Sequence, residues 1–145
     1  MPVTVKNISL WRKEVENKTG VLAQTLEPFA KVGADLHVVI AYRYPGNESR
    51  AAVELHPVTG KKLIAAAQGV ELAASSIPTL LVEGDNKPGL GHAIAQTIAD
   101  AGINLSFLVA QVIGRRYSAV IGFETDADAK KAATLIKKAT ARKRK

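Results

Sequence analysis

The sequence predicts an α/β sandwich built from two copies of one β-β-α-β-β-α unit. The first observation behind this is an internal repeat. Residues 1–69 and 70–138 align at an offset of 69, placing Glu14 on Glu83, Asn17 on Asn86, Lys18 on Lys87, Gly20 on Gly89, Gly33 on Gly102 and Leu36 on Leu105. The matches gather at turn and cap positions, where backbone geometry restricts the residue. The second is that both copies alternate short β-rich runs with helical periodicity. The third is composition: 145 residues at 47% hydrophobic suit one compact domain, or two small ones sharing a core.

Each copy opens with a short β segment, Val3–Val5 or Val70–Leu72, followed by a strand at Ile8–Val15 or Thr79–Glu83. An Asn-Lys-x-Gly turn then leads into a helix. Leu90, Ile94, Ile98 and Ala101 mark one face of it in copy two, and Leu22, Leu26, Phe29 and Ala30 in copy one. Pro28 predicts a kink or an irregular turn. Gly33 and Gly102 sit where a left-handed C-cap belongs. Leu36–Arg43 and Ala51–Leu55, then Leu105–Ile113 and Tyr117–Phe123, read as hairpins turned by Pro45-Gly46-Asn47 and Gly114-Arg115. A last helix carries Ala129, Ala132, Ala133 and Ile136 on one face, with Asp126 as its expected N-cap. Residues 139–145 read as a basic, disordered tail. Copy two has no strand after its last helix, and copy one opens with a strand that has no earlier partner. The expected solution is an exchange in which Val3–Val5 completes the second sheet and Val70–Leu72 the first.

The stretch Asn86-Lys87-Pro88-Gly89-Leu90, a helix, then Gly102-Ile103-Asn104-Leu105 resembles the ACT family of small-molecule-sensing domains. Asn17-Lys18-Thr19-Gly20-Val21 and Gly33-Ala34-Asp35-Leu36 resemble it more weakly, with Thr for Pro and Asp for Asn. The resemblance implies two ferredoxin-like βαββαβ units with antiparallel sheets, pairing of domains, and a free amino acid bound at the interface between the repeats. It implies no enzyme. The residues themselves point the same way. A helix N-terminus offers unpaired N–H groups and a partial positive charge to a carboxylate. The expected ligand-binding set is therefore Asn17, Gly20 and Val21 in copy one, Asn86, Gly89 and Leu90 in copy two, with Asp35 and Asn104 at strand starts expected beside the same helix start. Asn17 and Asn86 also read as plain N-caps, and Asp35 and Asn104 as local turn residues.

Other chemistries lack support. The sequence has no cysteine, which excludes disulfides and thiolate sites and fits a cytoplasmic setting. His37, His56 and His92 have no metal-ligand spacing, no cofactor fingerprint is present, and neither acid/base nor nucleophile sets occur. No apolar run approaches the roughly 20 residues that span a membrane. Six charges of the net +7 lie in Lys137, Lys138, Arg142, Lys143, Arg144 and Lys145, so residues 1–136 carry +1. Nucleic-acid binding by a ferredoxin-like module is the alternative. It is disfavoured because Arg115–Gly122 puts Ala119 and Gly122 where stacking aromatics belong. Trp11 on an amphipathic strand and open sheet edges lead to the expectation of a homodimer. A regulatory output then requires an oligomer, a partner enzyme or another regulator.

Overall fold

The computed structural model describes residues 2–141. Its elements are β1 (Val3–Ile8), β2 (Trp11–Glu16), α1 (Val21–Lys31), β3 (Val38–Tyr44), β4 (Asn47–His56), α2 (Gly60–Gly69), β5 (Ala73–Ala74), β6 (Thr79–Asp85), α3 (Leu90–Asp100), β7 (Leu105–Ile113), β8 (Arg116–Phe123) and α4 (Asp126–Ala141). The described residues form two compact units: residues 9–76, and residues 2–8 with 77–141. Each unit holds one four-stranded antiparallel sheet and two helices, the α+β arrangement of a ferredoxin-like unit.

The unit beginning at Ile77 has the strand order β1-β6-β8-β7. β1 runs antiparallel to β6, from Val3 opposite Gly84 to Ile8 opposite Thr79. The first strand of the chain therefore completes the sheet of the second repeat, as the missing strand requires. Leu80, Val82, Ala119, Ile121 and Phe123 point from the sheet onto Leu90, Ile94 and Ile98 of α3 and Ala129, Ala132 and Ile136 of α4. Val3 and Val5 pack at the margin of this core. Gly84 is needed where it stands, because a Cβ there would lie 2.9 Å from both the Pro2 carbonyl oxygen and Val3 Cγ1.

The Ser9–Ser76 unit has the order β3-β4-β2-β5. Its core joins Phe29, Val53, Leu55, Val58, Ala67 and Leu72, with Trp11 and Val15 packed against them. The exchange is reciprocal, since the first strand of the second repeat pairs with β2, Trp11 opposite Ala74. It lies later than expected, at Ala73–Ala74. Val70–Leu72 instead close α2: the Leu72 N–H bonds the Ala67 carbonyl at 2.9 Å, and Glu71 takes a left-handed φ of 66°. Gly33 and Gly102 fill that left-handed role after α1 and α3, at φ 72° and 71°. A Glu there concealed the cap.

Other boundaries also move. β2 starts at Trp11 rather than Ile8, which belongs to β1. α1 runs through Pro28 without interruption and buries Thr25 and Phe29, while Leu22 is exposed. Thr125 caps α4, its Oγ1 accepting the Asp128 N–H at 3.0 Å, so Asp126 is the first helical residue and not the cap. Of the expected tail, residues 139–141 belong to α4, and residues 142–145 lie outside the described residues.

Removing residues 1–8 is expected to lower stability by roughly 3 kcal/mol, or about 6–12 °C in Tm, by withdrawing two half-buried valines and an entire ladder. Gly84→Ala is expected to cost about 1–3 kcal/mol by forcing β1 off β6. Thermal melts that leave both variants at the parent Tm would show that β1 carries no stability.

Candidate functional site

The start of α1 is built by a turn that ties two strands together. After β2 ends at Glu16, the Asn17 N–H bonds the Ser49 carbonyl at 2.9 Å, and the Asn17 side-chain amide donates to the Glu48 carbonyl at 2.8 Å. Gly20, at φ 88°, turns the chain into the helix, a conformation that favours glycine. The Val21 N–H bonds Lys18, and the first intrahelical bond runs from the Gln24 N–H to Gly20. The N–H groups of Leu22 and Ala23 have no backbone acceptor among the described residues, as expected of a first turn.

Beneath this turn lies a cavity of about 210 Å³. Val15, Val21, Leu22, Ala41, Ala51 and Val53 give it apolar walls, while Glu16, Asn17, Lys18 and Arg43 stand at its polar side. Its size is below the roughly 300 Å³ at which drug-sized pockets begin, so it suits a small metabolite. Glu16 and Lys18 form a 3.5 Å ion pair with both side chains about two-thirds exposed, a weak and exchangeable contact. Arg43 faces Ala51 across the ladder and has no ion pair among the described residues.

The expected site residues separate into groups. Asn17 and Val21 line the cavity, and Gly20 caps the helix above it. Neither Asn17 nor Asn86 is an N-cap: Gly20 and Gly89 hold those positions, and each Asn fastens its turn to the neighbouring hairpin. The Asn86 N–H bonds the Arg115 carbonyl at 2.7 Å, and Leu90 N–H bonds Lys87. Gly89 has φ 89° and Leu90 is buried in the core. Asp35 and Asn104 do not join them. They follow the C-terminal ends of 11-residue helices about 16 Å long, so each lies at the opposite end from the helix start. Asp35 Oδ2 is 3.1 Å from His37 Nε2, and the Asn104 amide donates to Glu124 Oε2 at 3.4 Å. His92 is exposed.

A polar cluster that the sequence reading passed over occupies the helix-free face of the same sheet. The Arg12 guanidinium donates to the Tyr44 hydroxyl at 2.6 Å and lies 3.7 Å from Glu54 Oε2, which accepts the Tyr42 hydroxyl at 2.9 Å. Glu54 is 4% exposed, and its Oε1 has no hydrogen-bond partner among the described residues. Hydrogen bonds from Tyr44 and then Arg50 hold the Glu14 carboxyl below its usual range. Burial pushes the phenols of Tyr42 and Tyr117 above their ordinary value. The available signal was Arg12 and Glu54 standing inside otherwise regular strand patterns.

Among the described residues no group of three His, Asp or Glu side chains is placed to hold a metal ion, and no helix is long and apolar enough to cross a membrane. The fold, two ferredoxin-like α+β units, is shared with solved regulatory domains of aspartate kinase. A Bacteroides thetaiotaomicron protein of known structure is similar at TM-score 0.72 and 15% identity, covering 90% of this chain and 88% of that one. The ligand-free regulatory subunit of aspartate kinase from Thermus thermophilus is similar at TM-score 0.63 and 16% identity, covering 96% and 97%. The regulatory subunit of aspartate kinase from Thermus flavus is similar at 0.59 and 16%, covering 97% of each chain. No protein-family model and no curated protein matches the chain.

Two outcomes follow from the electrostatics. Arg12→Ala strands the buried Glu54 carboxylate and is expected to cost on the order of 3 kcal/mol in a denaturant melt. The raised tyrosines act at alkaline pH. The unfolded chain loses phenolic protons near pH 10 while the folded chain retains them, so stability is expected to fall as pH rises above about 10. A Tyr42→Phe, Tyr117→Phe double variant is expected to flatten that decline, and an unchanged profile would assign it to other groups.

Proposed function

We propose that this chain is a non-catalytic regulatory module that binds a free amino acid in the cavity at the start of α1. The observation that carries this reading is the cavity itself. Residues of the Asn-Lys-x-Gly turn form it, Val15, Ala41 and Val53 give it apolar walls, and the Arg43 guanidinium, without an ion pair among the described residues, is available to a ligand carboxylate. Similarity in fold to aspartate kinase regulatory domains supports a regulatory role, and the cysteine-free sequence fits a cytoplasmic setting. Binding is read out through a homodimer or a partner enzyme. β7 is an outermost strand that exposes Val109, Val112 and Ile113, a surface suited to association.

A thermal-shift screen of the twenty amino acids tests the reading. A ligand at 100 times its Kd stabilises by about 2.7 kcal/mol, here roughly 5–10 °C in Tm. Asn17→Ala is expected to reduce the response more than His92→Ala, because Asn17 fastens the turn over the cavity while His92 lies on an exposed surface. No shift with any amino acid, together with a salt-sensitive shift from single-stranded RNA, would replace this function with nucleic-acid binding.

A further inference from the structure

The two helix starts share a motif but not a space. We infer that only the Ser9–Ser76 unit receives a ligand, an amino acid with an aliphatic side chain, and that Tyr117 fills the counterpart place in the other unit. This rests on the amino-acid reading above and names its site and ligand class.

The ladders fix the correspondence. Asn17 bonds Ser49, and Asn86 bonds Arg115. Two residues back along β2 and β6, Val15 faces Ala51 and Gly84 faces Tyr117. Across the hairpins, Arg43 pairs with Ala51, and Val112 with Tyr117. Leu22 and Gly91 are each the second residue of their helix. The structural counterparts are therefore Ala51 and Tyr117, Arg43 and Val112, Leu22 and Gly91.

Each exchange closes the second place. Ala51 ends at a methyl group and leaves the cavity above it open. Tyr117 is 6% exposed, and its hydroxyl lies 3.7 Å from where a Cβ on Gly91 would stand, so the ring spans from β8 to the first turn of α3. Gly91 provides the room that Leu22 does not. The charge changes in the same direction: the first place presents Arg43, and the second presents Val112, which offers a carboxylate nothing. The repeat that carries the fuller sequence motif is thus the closed one.

The open cavity also sets the ligand class. Val15, Ala41 and Val53 provide apolar walls for a branched aliphatic side chain. Arg43 takes the carboxylate, and Glu16 takes the α-ammonium by giving up its exposed pair with Lys18.

Isothermal titration of the full chain with L-valine, L-leucine and L-isoleucine, and with L-lysine and L-threonine as comparators, tests this. One aliphatic amino acid per chain is expected, with lysine and threonine weaker. Ala51→Tyr is expected to weaken binding by at least about tenfold. A Tyr117→Ala, Val112→Arg double variant is expected to raise the stoichiometry toward two. If that variant does not fold, Ala51→Tyr decides alone. Two ligands per parent chain, or undiminished binding by Ala51→Tyr, overturns the inference and leaves the amino-acid reading intact. Preference for lysine or threonine overturns the ligand class. Failure of every amino acid to bind overturns the proposed function and this inference with it.

Discussion

The pairing of β1 with β6 joins residues 79 positions apart, as at Thr4 and Glu83, and the rest of the architecture depends on it. Without β1, β6 would present a long row of unpaired N–H and C=O groups along a strand whose side chains are largely buried. The same requirement applies to β2, which receives β5 and the Ser75 N–H bond to Leu10. The chain passes between units at Ile8–Ser9 and returns at Ser76–Ile77. The Ser9–Ser76 unit is one contiguous segment, whereas the other joins β1 to the part of the chain after Ser76, and each sheet takes the strand that opens the other repeat. Loop-closure entropy opposes such long-range pairing, so the ladder and the valines of β1 must offset it.

A shared backbone with different side chains leaves two similar units with different interiors. The turn, the left-handed glycine and the first helical bond recur almost unchanged, from Asn17, Gly20 and Gln24 to Asn86, Gly89 and Ala93. These are backbone constraints, and they preserve the shape of the helix start. The contents differ. In one unit the sheet beneath α1 carries small side chains and a cavity remains. In the other, Tyr117 enters the core beside Leu90 and Ile94 and contributes to packing. A buried phenol loses water from its hydroxyl, seen in its raised pKa, in exchange for apolar contact over the ring.

The Arg12, Tyr42, Tyr44 and Glu54 cluster shows a second tension. Glu54 is buried with one oxygen unsatisfied, so its pairing with Arg12 and Tyr42 maintains tolerance of a buried charge more than it contributes net stability. Tyr42 and Tyr44 stand with ring centroids 5.9 Å apart, which orders the hydroxyls that serve the charged pair. The cluster also gives the helix-free face of this sheet a fixed polar pattern.

The sequence by itself determined the element order, the left-handed caps and the exchange of first strands. These follow from local rules: glycine at positive φ, helical periodicity, and a sheet with one strand too few. It misplaced β5 because Glu71 adopts a conformation that glycine usually marks. It also set Asp35 and Asn104 beside a helix start from which a whole helix length separates them. Only the tertiary structure decided which helix start is open. The Asn17-to-Ser49 span is three residues longer than the Asn86-to-Arg115 span, so the offset that aligns the motifs places Ala51 on Val120, whereas strand pairing places it with Tyr117. Hydrogen-bond register, which a linear alignment does not carry, determines which side chain stands beneath the helix, and the volume of that side chain leaves the cavity open or fills it.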